Sequence, residues 1–375
     1  MAGWANRQWI NGAVGLVIKD GKIVYYKAVG YSDLDAKKVM KKDDIFRIAS
    51  QTKGVTSVAV MMLYEEGKFL LDDPVSKYIP SFAHETVLDK FNAADSTYTT
   101  VPAKRDVTIR DLLTHTSGIS YAQIGTKEAN AIYSKAGLTP GFYVTNEKLL
   151  DAISRLGALP LMHQPGEKWS YGLNTDVLGC LVEIWSGMSL EEFFRKRIFE
   201  PLGMNDTYFN LPQEKGSRLV NHYIEANGHY TKQAQVFNVD ASYPLKEKHY
   251  FSGGAGLSST AYDYAIMLQM LLNGGEYNGK RLLTRNTIRM MTMNQIGDLN
   301  LDENKFGLGF AVVTERGSSQ FPMPAGTYGW GGAFSTVYWV DPKEKIITIL
   351  YRQMWGTHGG EIDNKFRVLV YQALN

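Results

Sequence analysis

The sequence predicts an α+β fold in which one antiparallel sheet is built from both ends of the chain, with a mostly helical segment inserted between them. Residues 13–30 place two strand-like runs on either side of Asp20-Gly21, the strongest short hairpin signal. Residues 333–341 and 345–353 are two more strand-like runs near the other end. The middle of the chain has helical spacing instead, which favours a sheet with helices packed against it.

Helix signals are clearest in the middle of the chain and at its end. Thr108 and Asp111 form a predicted capping box that opens a helix, and Gly118 is predicted to end it. Three further helices are predicted over residues 177–185, 190–199 and 361–374.

These signals divide the chain into a sheet domain and a helical domain. The sheet domain is predicted to comprise residues 1–75 and 245–375, with the helical domain at 76–244. Residues 83–106 and 121–147 lack clean periodicity, and we expect long surface loops there.

Composition excludes several classes of protein. The 375 residues are 44% hydrophobic and 21% charged, which is typical of a globular chain. A net charge of +2 is too balanced for nucleic acid to be an expected partner. Cys180 is the only cysteine, and neither C-x-x-C nor H-E-x-x-H occurs, so disulfide frameworks and the familiar zinc signatures are absent.

The sequence contains no segment typical of a membrane span, since no stretch approaches 18 uninterrupted apolar residues. The N-terminal residues show no basic region followed by an apolar one. This pattern fits a cytoplasmic protein, or a periplasmic or secreted one from which a signal peptide has been removed. No oligomeric state is predicted.

Ser50 and Lys53 form the only Ser-x-x-Lys pattern in the chain. Val55, Val58 and Met62 follow at helical spacing, which places Ser50 at or near a helix N-terminus, where free N–H groups favour an oxyanion. Residues three apart share one helix face, so an amine lies beside the hydroxyl. A lysine amine acts as a base only if its surroundings lower its ordinary pKa of about 10.4. Taken alone, the four residues also fit a capping serine beside a solvated lysine.

Two other catalytic patterns are absent or incomplete. G-x-S-x-G does not occur, which removes the nucleophile elbow of an α/β-hydrolase. Residues 274–280 approach a phosphate-binding loop, but Arg281 stands where Ser or Thr is required. We interpret that segment as a turn after a helix.

Six segments, spread over nearly the whole chain, resemble one known superfamily and occur in the same order as in that superfamily. They are FRIASQTK around Ser50, VTIRDLLTHTSGI at 107–119, QPGEKWSYGLNTDVLG at 164–179, FEPLGMNDT at 199–207, FSGGAGLSSTAYDYAIMLQMLLNGG at 251–275 and YGWGGAFSTVYWVDP at 328–342. Together they resemble the serine β-lactamase and penicillin-binding-protein superfamily, in particular the class C β-lactamase-like branch that includes the family VIII carboxylesterases. The resemblance implies that superfamily's fold, an antiparallel sheet flanked by helices with an inserted helical domain.

The resemblance also implies catalytic roles. Ser50 corresponds to the acylated nucleophile, Lys53 to its amine partner and Tyr171 to the tyrosine that opens the second motif. A phenol serves as a base only if a nearby ammonium holds it as phenolate, so Tyr171 and Lys53 are expected to act as a coupled pair. The backbone N–H groups of Ser50 and Ala333 are implied to hold the oxyanion.

Two motifs depart from the superfamily's usual form. Its third motif begins with Lys or His followed by Thr or Ser, whereas here it is Trp330-Gly331-Gly332. The usual residues make charged hydrogen bonds to a substrate carboxylate, each worth about 1.5 to 3 kcal/mol. The second motif, Tyr171-Gly172-Leu173, has its asparagine one place late, at Asn174. Both departures favour neutral acyl substrates, and Trp-Gly-Gly resembles the esterase branch.

Several other residues are candidates for supporting roles. Asn174 and Asp176 are expected behind the catalytic residues, where Asp176 could orient Lys53 or Tyr171; exposure on the helix surface is the alternative. Arg352 is a candidate replacement for the missing carboxylate-binding group. We interpret His115 as structural.

We therefore expect a cofactor-free serine carboxylesterase that acts on small or short-chain acyl esters. A β-lactamase, D,D-peptidase or D-aminopeptidase would use the same serine, lysine and tyrosine and is the first alternative. A non-catalytic binding module on the same scaffold is the alternative from another class. The expected partner is a small-molecule ester or β-lactam-like substrate.

Overall fold

Strands from the two ends of the chain meet in one antiparallel sheet, which confirms the predicted fold class. The computed structural model describes residues 1–138, 141–142 and 144–374. Within them the main sheet has eight strands, β1 (Gly12–Lys19), β2 (Lys22–Asp33), β3 (Lys38–Val39), β4 (Lys305–Phe306), β5 (Ala311–Val312), β6 (Tyr328–Gly332), β7 (Thr336–Asp341) and β8 (Ile346–Tyr351). Their spatial order is β4-β5-β6-β7-β8-β1-β2-β3.

The predicted hairpin at Asp20-Gly21 connects β1 and β2. Both turn residues have positive φ, 50° and 73°, as a type I′ turn requires. On its other side β1 pairs with β8, from Val14 opposite Tyr351 to Lys19 opposite Ile346. The first and last long strands are therefore neighbours at the centre of the sheet.

Twelve α-helices lie in the described residues. They are α1 (Ala2–Asn6), α2 (Thr52–Glu65), α3 (Ile109–Thr114), α4 (Lys127–Lys135), α5 (Leu149–Gly157), α6 (Asn174–Ser186), α7 (Leu190–Phe194), α8 (Glu200–Leu202), α9 (Ala261–Leu272), α10 (Arg285–Met291), α11 (Glu315–Ser318) and α12 (Gly359–Gln372). The predicted helices at 177–185 and 361–374 are confirmed as α6 and α12. The helix predicted at 190–199 is α7 followed by a π-helical turn over Arg195–Phe199.

The capping box of Thr108 and Asp111 is present at the start of α3 and confirms that prediction. The helix ends earlier than predicted, however. His115 adopts the left-handed conformation with φ of 58° and ends the helix, three residues before Gly118.

Helices cover both faces of the sheet. Side chains of β1 alternate between the faces, so Val14 and Leu16 enter the core that contains α2 and α9, whereas Ala13 and Val17 enter a second core with α1 and α12. Residues 52–63 of α2 are all buried. The helix that follows Ser50 is therefore held inside the protein.

Both segments predicted to be long loops contain regular structure, so those predictions are wrong in part. Residues 83–106 contain a hairpin of Thr86–Asn92 and Thr97–Pro102. The second strand is exposed along its whole length, so it carries no hydrophobic alternation to reveal it. Residues 121–147 contain the short helix α4, which begins after the capping residue Thr126; residues 139, 140 and 143 lie outside the described residues.

Short strands outside the main sheet form small additional sheets. The pairs are Phe46–Arg47 with Ser258–Ser259, Gln235–Val236 with Val239–Asp240, Glu276–Tyr277 with Lys280–Arg281, and Tyr223–Ala226 between His229–Lys232 and Met354–Trp355. No helix in the described part of the chain is long and apolar enough to cross a membrane. The domain boundaries at 75/76 and 244/245 stay a prediction.

Candidate active site

Ser50 lies in a 3₁₀ turn, Ala49–Gln51, that leads directly into α2, as predicted. Ala49, the residue before it, has φ of 44°, in the left-handed region that costs an L-residue about 1 to 2 kcal/mol. The backbone N–H of Ile48 donates to Leu257 O at 3.1 Å and ties this turn to the neighbouring strand. The surrounding backbone thus holds a partly exposed serine at a helix N-terminus.

Lys53 lies one turn into α2, and its side chain is only 2% exposed. Its Nζ donates to Tyr121 Oη at 2.9 Å and to Gly254 O at 2.8 Å. The same nitrogen lies 4.5 Å from the centre of the Tyr171 ring. The structure therefore brings Lys53 and Tyr171 together as predicted, although the hydroxyl that Lys53 contacts directly belongs to Tyr121.

Tyr171 lies just before α6 and connects the second motif to the third. Trp330, on β6, donates from Nε1 to Tyr171 Oη at 3.3 Å. The Tyr171 and Tyr121 ring centres are 5.4 Å apart. Within the described residues Ser50 Oγ makes no direct hydrogen bond to Lys53 or to either tyrosine, so the serine hydroxyl is free to rotate toward a substrate.

The candidate oxyanion donors are the backbone N–H groups of Ser50 and Ala333. Gly332 O accepts from Ser335 N at 3.1 Å. Because a trans peptide directs its N–H away from its C=O, the Ala333 N–H points away from that turn. A Cβ atom at Gly332 would lie 2.3 Å from Ile48 O, so only glycine lets β6 approach the backbone beside Ser50 this closely. Neither N–H donates to an acceptor in the described residues.

Asp176 is buried in the first turn of α6 and is not on the helix surface. Its Oδ1 accepts from Ser252 Oγ at 2.6 Å and from Tyr250 Oη at 3.4 Å. Burial raises the pKa of this carboxyl, whereas the Ser252 hydrogen bond and the Lys53 charge oppose that rise. The carboxyl therefore lies behind Lys53, where a supporting residue was expected.

Asn174 lies behind Tyr171 through His115. Its Nδ2 is 2.9 Å from His115 Nδ1, and its Oδ1 accepts from Ser117 Oγ. The His115 ring lies 5.0 Å from that of Tyr171. Burial, and secondarily the Lys53 charge, lower the pKa of His115, so its imidazole is neutral. His115 therefore lies between Asn174 and the Tyr171 ring, and the Asn174 amide is occupied within the protein.

Arg352 does not face the site, so its candidacy for binding a substrate carboxylate is wrong. Its guanidinium pairs with Asp363 on α12 and donates to Gly359 O at 3.3 Å. Both partners lie on the side of the sheet that α12 covers. The carboxylate of Asp363 on α12 holds the Arg352 side chain away from Ser50.

Tyr121 is the residue of the site that sequence reasoning missed. Burial raises its pKa well above the ordinary value, and the neighbouring Tyr171, Asp176 and Tyr250 raise it further, so Tyr121 is a neutral phenol that accepts from Lys53. Tyr121 lies after α3, at the start of the segment 121–147 that was predicted to be a surface loop. Nothing in its local sequence distinguishes it from the other 21 of the 22 tyrosines.

Two groups of aromatic rings lie beside the candidate residues. One group adjoins Tyr171 and consists of Trp169, Phe306 and Trp330. A second group, which we call the aromatic cluster, consists of Phe142, Phe237, Phe334 and Trp355. Ala49 packs in the same apolar core as Phe142 and Phe334, and Trp355 Nε1 donates to Ala333 O, so this cluster borders the oxyanion donors.

The site uses no recognisable metal-binding group. Among residues 1–138, 141–142 and 144–374, no set of three or more His, Cys, Asp or Glu side chains is arranged to hold a metal ion.

Comparison with known proteins identifies one family and relatives with more than one named activity. The family model described as Beta-lactamase matches residues 2–372. Esterase EstB from Burkholderia gladioli is 30% identical over 360 residues, covering 90% of this chain and 85% of that protein. An Escherichia coli K12 protein provisionally assigned as a D-alanyl-D-alanine carboxypeptidase is 31% identical over 365 residues, covering 89% and 76%. The solved structure of EstCE1, a hydrolase with promiscuous acyltransferase activity, has a TM-score of 0.84 and 26% identity and covers 99% of this chain and 96% of its own.

Proposed function

The chain belongs to the beta-lactamase family and is a serine hydrolase with that family's fold, and from this premise we propose that it is a carboxylesterase. Its proposed substrates are small or short-chain acyl esters, which it hydrolyses through an acyl-enzyme at Ser50. The relative named Esterase EstB supports an esterase, and EstCE1, a hydrolase with promiscuous acyltransferase activity, supports acyl chemistry. The carboxypeptidase relative keeps amide substrates as the alternative.

The observation that carries the proposal is the third motif. Trp330 stands where a cation would bind a substrate carboxylate, and its indole donates to Tyr171 instead. Gly331 supplies no hydroxyl, and a Cβ atom there would meet nothing closer than Thr336 O at 3.4 Å. Because Arg352 is paired with Asp363, it cannot replace the missing cation. A site without this anchor favours uncharged acyl groups over penicillins or peptide C-termini.

In the first half of the reaction, Ser50 Oγ attacks the ester carbonyl carbon. The Lys53 and Tyr171 pair takes the serine proton, and the N–H groups of Ser50 and Ala333 hold the oxyanion, each contributing about 2.7 to 4 kcal/mol. The C–O bond to the alcohol then breaks, and the pair returns the proton to the departing oxygen. Ser50 is left as an ester of the acyl group.

In the second half, water attacks the acyl-enzyme. The same pair takes a proton from that water, and the same two N–H groups hold the second oxyanion. The Ser50 Oγ–acyl bond breaks and the serine regains its proton. The carboxylic acid leaves and the enzyme returns to its starting state.

A substrate panel tests the proposal. The wild-type chain and Ser50→Ala are assayed with p-nitrophenyl butyrate, a chromogenic cephalosporin and a D-Ala-D-Ala peptide. We expect turnover of the ester that Ser50→Ala abolishes, with little turnover of the two carboxylate-bearing substrates. Rapid cephalosporin or peptide turnover without ester hydrolysis would overturn the proposal in favour of the amide-cleaving alternative.

A further inference from the structure

A buried carboxylate behind Lys53 takes no direct part in the proposed reaction. Asp176 is 1% exposed. Ser252 donates to Oδ1 at 2.6 Å, and the backbone N–H of Gly254 is the donor next to the buried Oδ2, which has no other partner in the described residues. A buried carboxylate is costly unless hydrogen bonds and a nearby positive charge compensate for it. A cation close to Oδ2 would therefore stabilise it.

Lys53 is the cation that these surroundings offer. A Cβ atom built on Gly254 would lie 2.5 Å from Asp176 Oδ2 and 3.4 Å from Lys53 Nζ, so the carboxylate and the amine face the same point. Lys53 also donates to the carbonyl oxygen of that glycine at 2.8 Å. The backbone of Gly254 thus separates the two groups while leaving their charges close.

In the described part of the chain, the other titratable groups around this pair are three tyrosines, one histidine, one cysteine and one glutamate. Tyr121 follows α3, Tyr171 precedes α6, and Tyr250 precedes the short strand at Ser258. His115 at the end of α3 has its pKa lowered by burial. Cys180 and Glu147 lie beyond Tyr250 and carry no positive charge. Lys53 is thus the only positive charge among the groups facing Asp176 in the described part of the chain.

We infer that Asp176 is the counter-charge of Lys53 and is thereby a positioning residue that sets the lower pH limit of activity. Lys53 donates to Tyr121 Oη and Gly254 O, which holds its Nζ beside the glycine that Asp176 also faces. A negative charge beside a catalytic base opposes loss of a proton from that base. Removing the Asp176 charge should therefore extend activity to lower pH.

Asp176→Asn tests this inference, because it keeps the shape of the side chain and removes the charge. The inference rests on the proposed function for its first readout, the pH dependence of kcat/KM with p-nitrophenyl butyrate. We expect the acid limb of this profile to move to lower pH by about one unit or more, as the loss of a charge a few ångströms away predicts. A purely structural role would lower the rate and leave the limb in place, and that result would overturn the inference.

Glu183→Gln is the matched control. Glu183 is a half-buried carboxylate on the same helix, and it accepts from Leu190 N at 2.8 Å. Its removal should leave the acid limb where it is in the wild type. An equal shift in both variants would overturn the inference, because it would show that any charge lost from α6 has the same effect.

Two further measurements keep the inference testable if Asp176→Asn fails to fold or if the enzyme acts on another substrate. Ser252→Ala removes the hydrogen bond that favours ionised Asp176, so it should move the limb in the same direction by less. The rate at which a fluorophosphonate labels Ser50, followed against pH, reports the same limb without an ester. Labelling without ester hydrolysis refutes the proposed function alone, whereas an unmoved labelling limb in Asp176→Asn refutes this inference alone. A wild-type chain that is not labelled overturns both.

Discussion

The two sides of Ser50 are built in different ways. On one side a polar cluster of Lys53, Tyr121, Asp176 and Ser252 is buried, and its members are joined by hydrogen bonds of 2.6 to 2.9 Å to one another and to Gly254 O. On the other side lies the aromatic cluster, whose rings meet at centre distances of 5.2 to 6.1 Å. Trp355, a member of this cluster, donates a hydrogen bond to Ala333 O in the site.

This difference assigns chemistry to one side and substrate choice to the other. Buried hydrogen bonds direct each polar atom and are costly to leave unmade, so changes in the polar cluster should alter the rate of the reaction. Contacts between aromatic rings fill space but do not direct proton transfer. Changes in the aromatic cluster should therefore alter which acyl groups enter the site.

A buried lysine lies on each side, and their comparison should give the largest difference. Lys53→Met removes the ammonium beside Ser50, and we expect kcat/KM to fall by about 10² to 10⁴-fold. Lys248 is equally buried, but within the described residues its Nζ donates only to Tyr243 O and Lys246 O. Lys248→Met should lower the unfolding temperature and leave kcat/KM near that of the wild type. Equal kinetic losses in the two variants would remove the distinction between the sides.

Variants of the two tyrosines beside Lys53 distinguish a role in proton transfer from a role in positioning Lys53. Tyr171→Phe removes a member of the proposed base pair and should cost about 10² to 10⁴-fold in kcat. Tyr121→Phe removes one hydrogen bond to a charged group, which corresponds to about a ten- to hundredfold loss. Stopped-flow measurement of the acylation step with p-nitrophenyl butyrate checks both values. If Tyr121→Phe were the more damaging variant, Tyr121 would have to replace Tyr171 in the pair.

The smallest effect is expected at the tip of the hairpin that carries Phe237. Phe237 and Asn238 form its turn with φ of 49° and 63°, an unfavourable conformation for a bulky residue. Phe237→Gly should raise kcat/KM for p-nitrophenyl octanoate relative to the acetate by severalfold, up to about tenfold, because the ring no longer occupies that space.

Asn238→Gly is the control for this turn. It relieves a similar backbone conformation and keeps the Phe237 ring, so it should leave the octanoate-to-acetate ratio unchanged. A similar change of the ratio in both variants would assign the effect to the backbone of the turn instead of the ring.

Local signals in the sequence were sufficient where backbone chemistry decides the structure. Asp20-Gly21 predicts its hairpin because both residues tolerate positive φ, and Thr108 with Asp111 predicts a helix start because the two side chains cap free N–H groups. The apolar residues at helical spacing after Ser50 predict the helix that contains Lys53.

Contacts between distant segments could not be derived in that way. Tyr121 meets Lys53 across 68 residues of sequence, and Trp355 meets Ala333 across 22. The direction of Arg352 was hidden because all six residues of β8, which precedes it, are buried on both faces and show no alternation. The resemblance supplied Tyr171 and Ala333, since no physical signal in their own neighbourhoods marks them.

The most direct test of the central claim is detection of the acyl-enzyme. The chain is mixed with p-nitrophenyl butyrate, quenched in acid within the first turnover and digested with trypsin, which should release residues 48–53 as one peptide. We expect one butyryl group on this peptide, at Ser50, and neither adduct nor hydrolysis in Ser50→Ala. Ester hydrolysis that persists in Ser50→Ala, or a butyryl group on another residue, would contradict it.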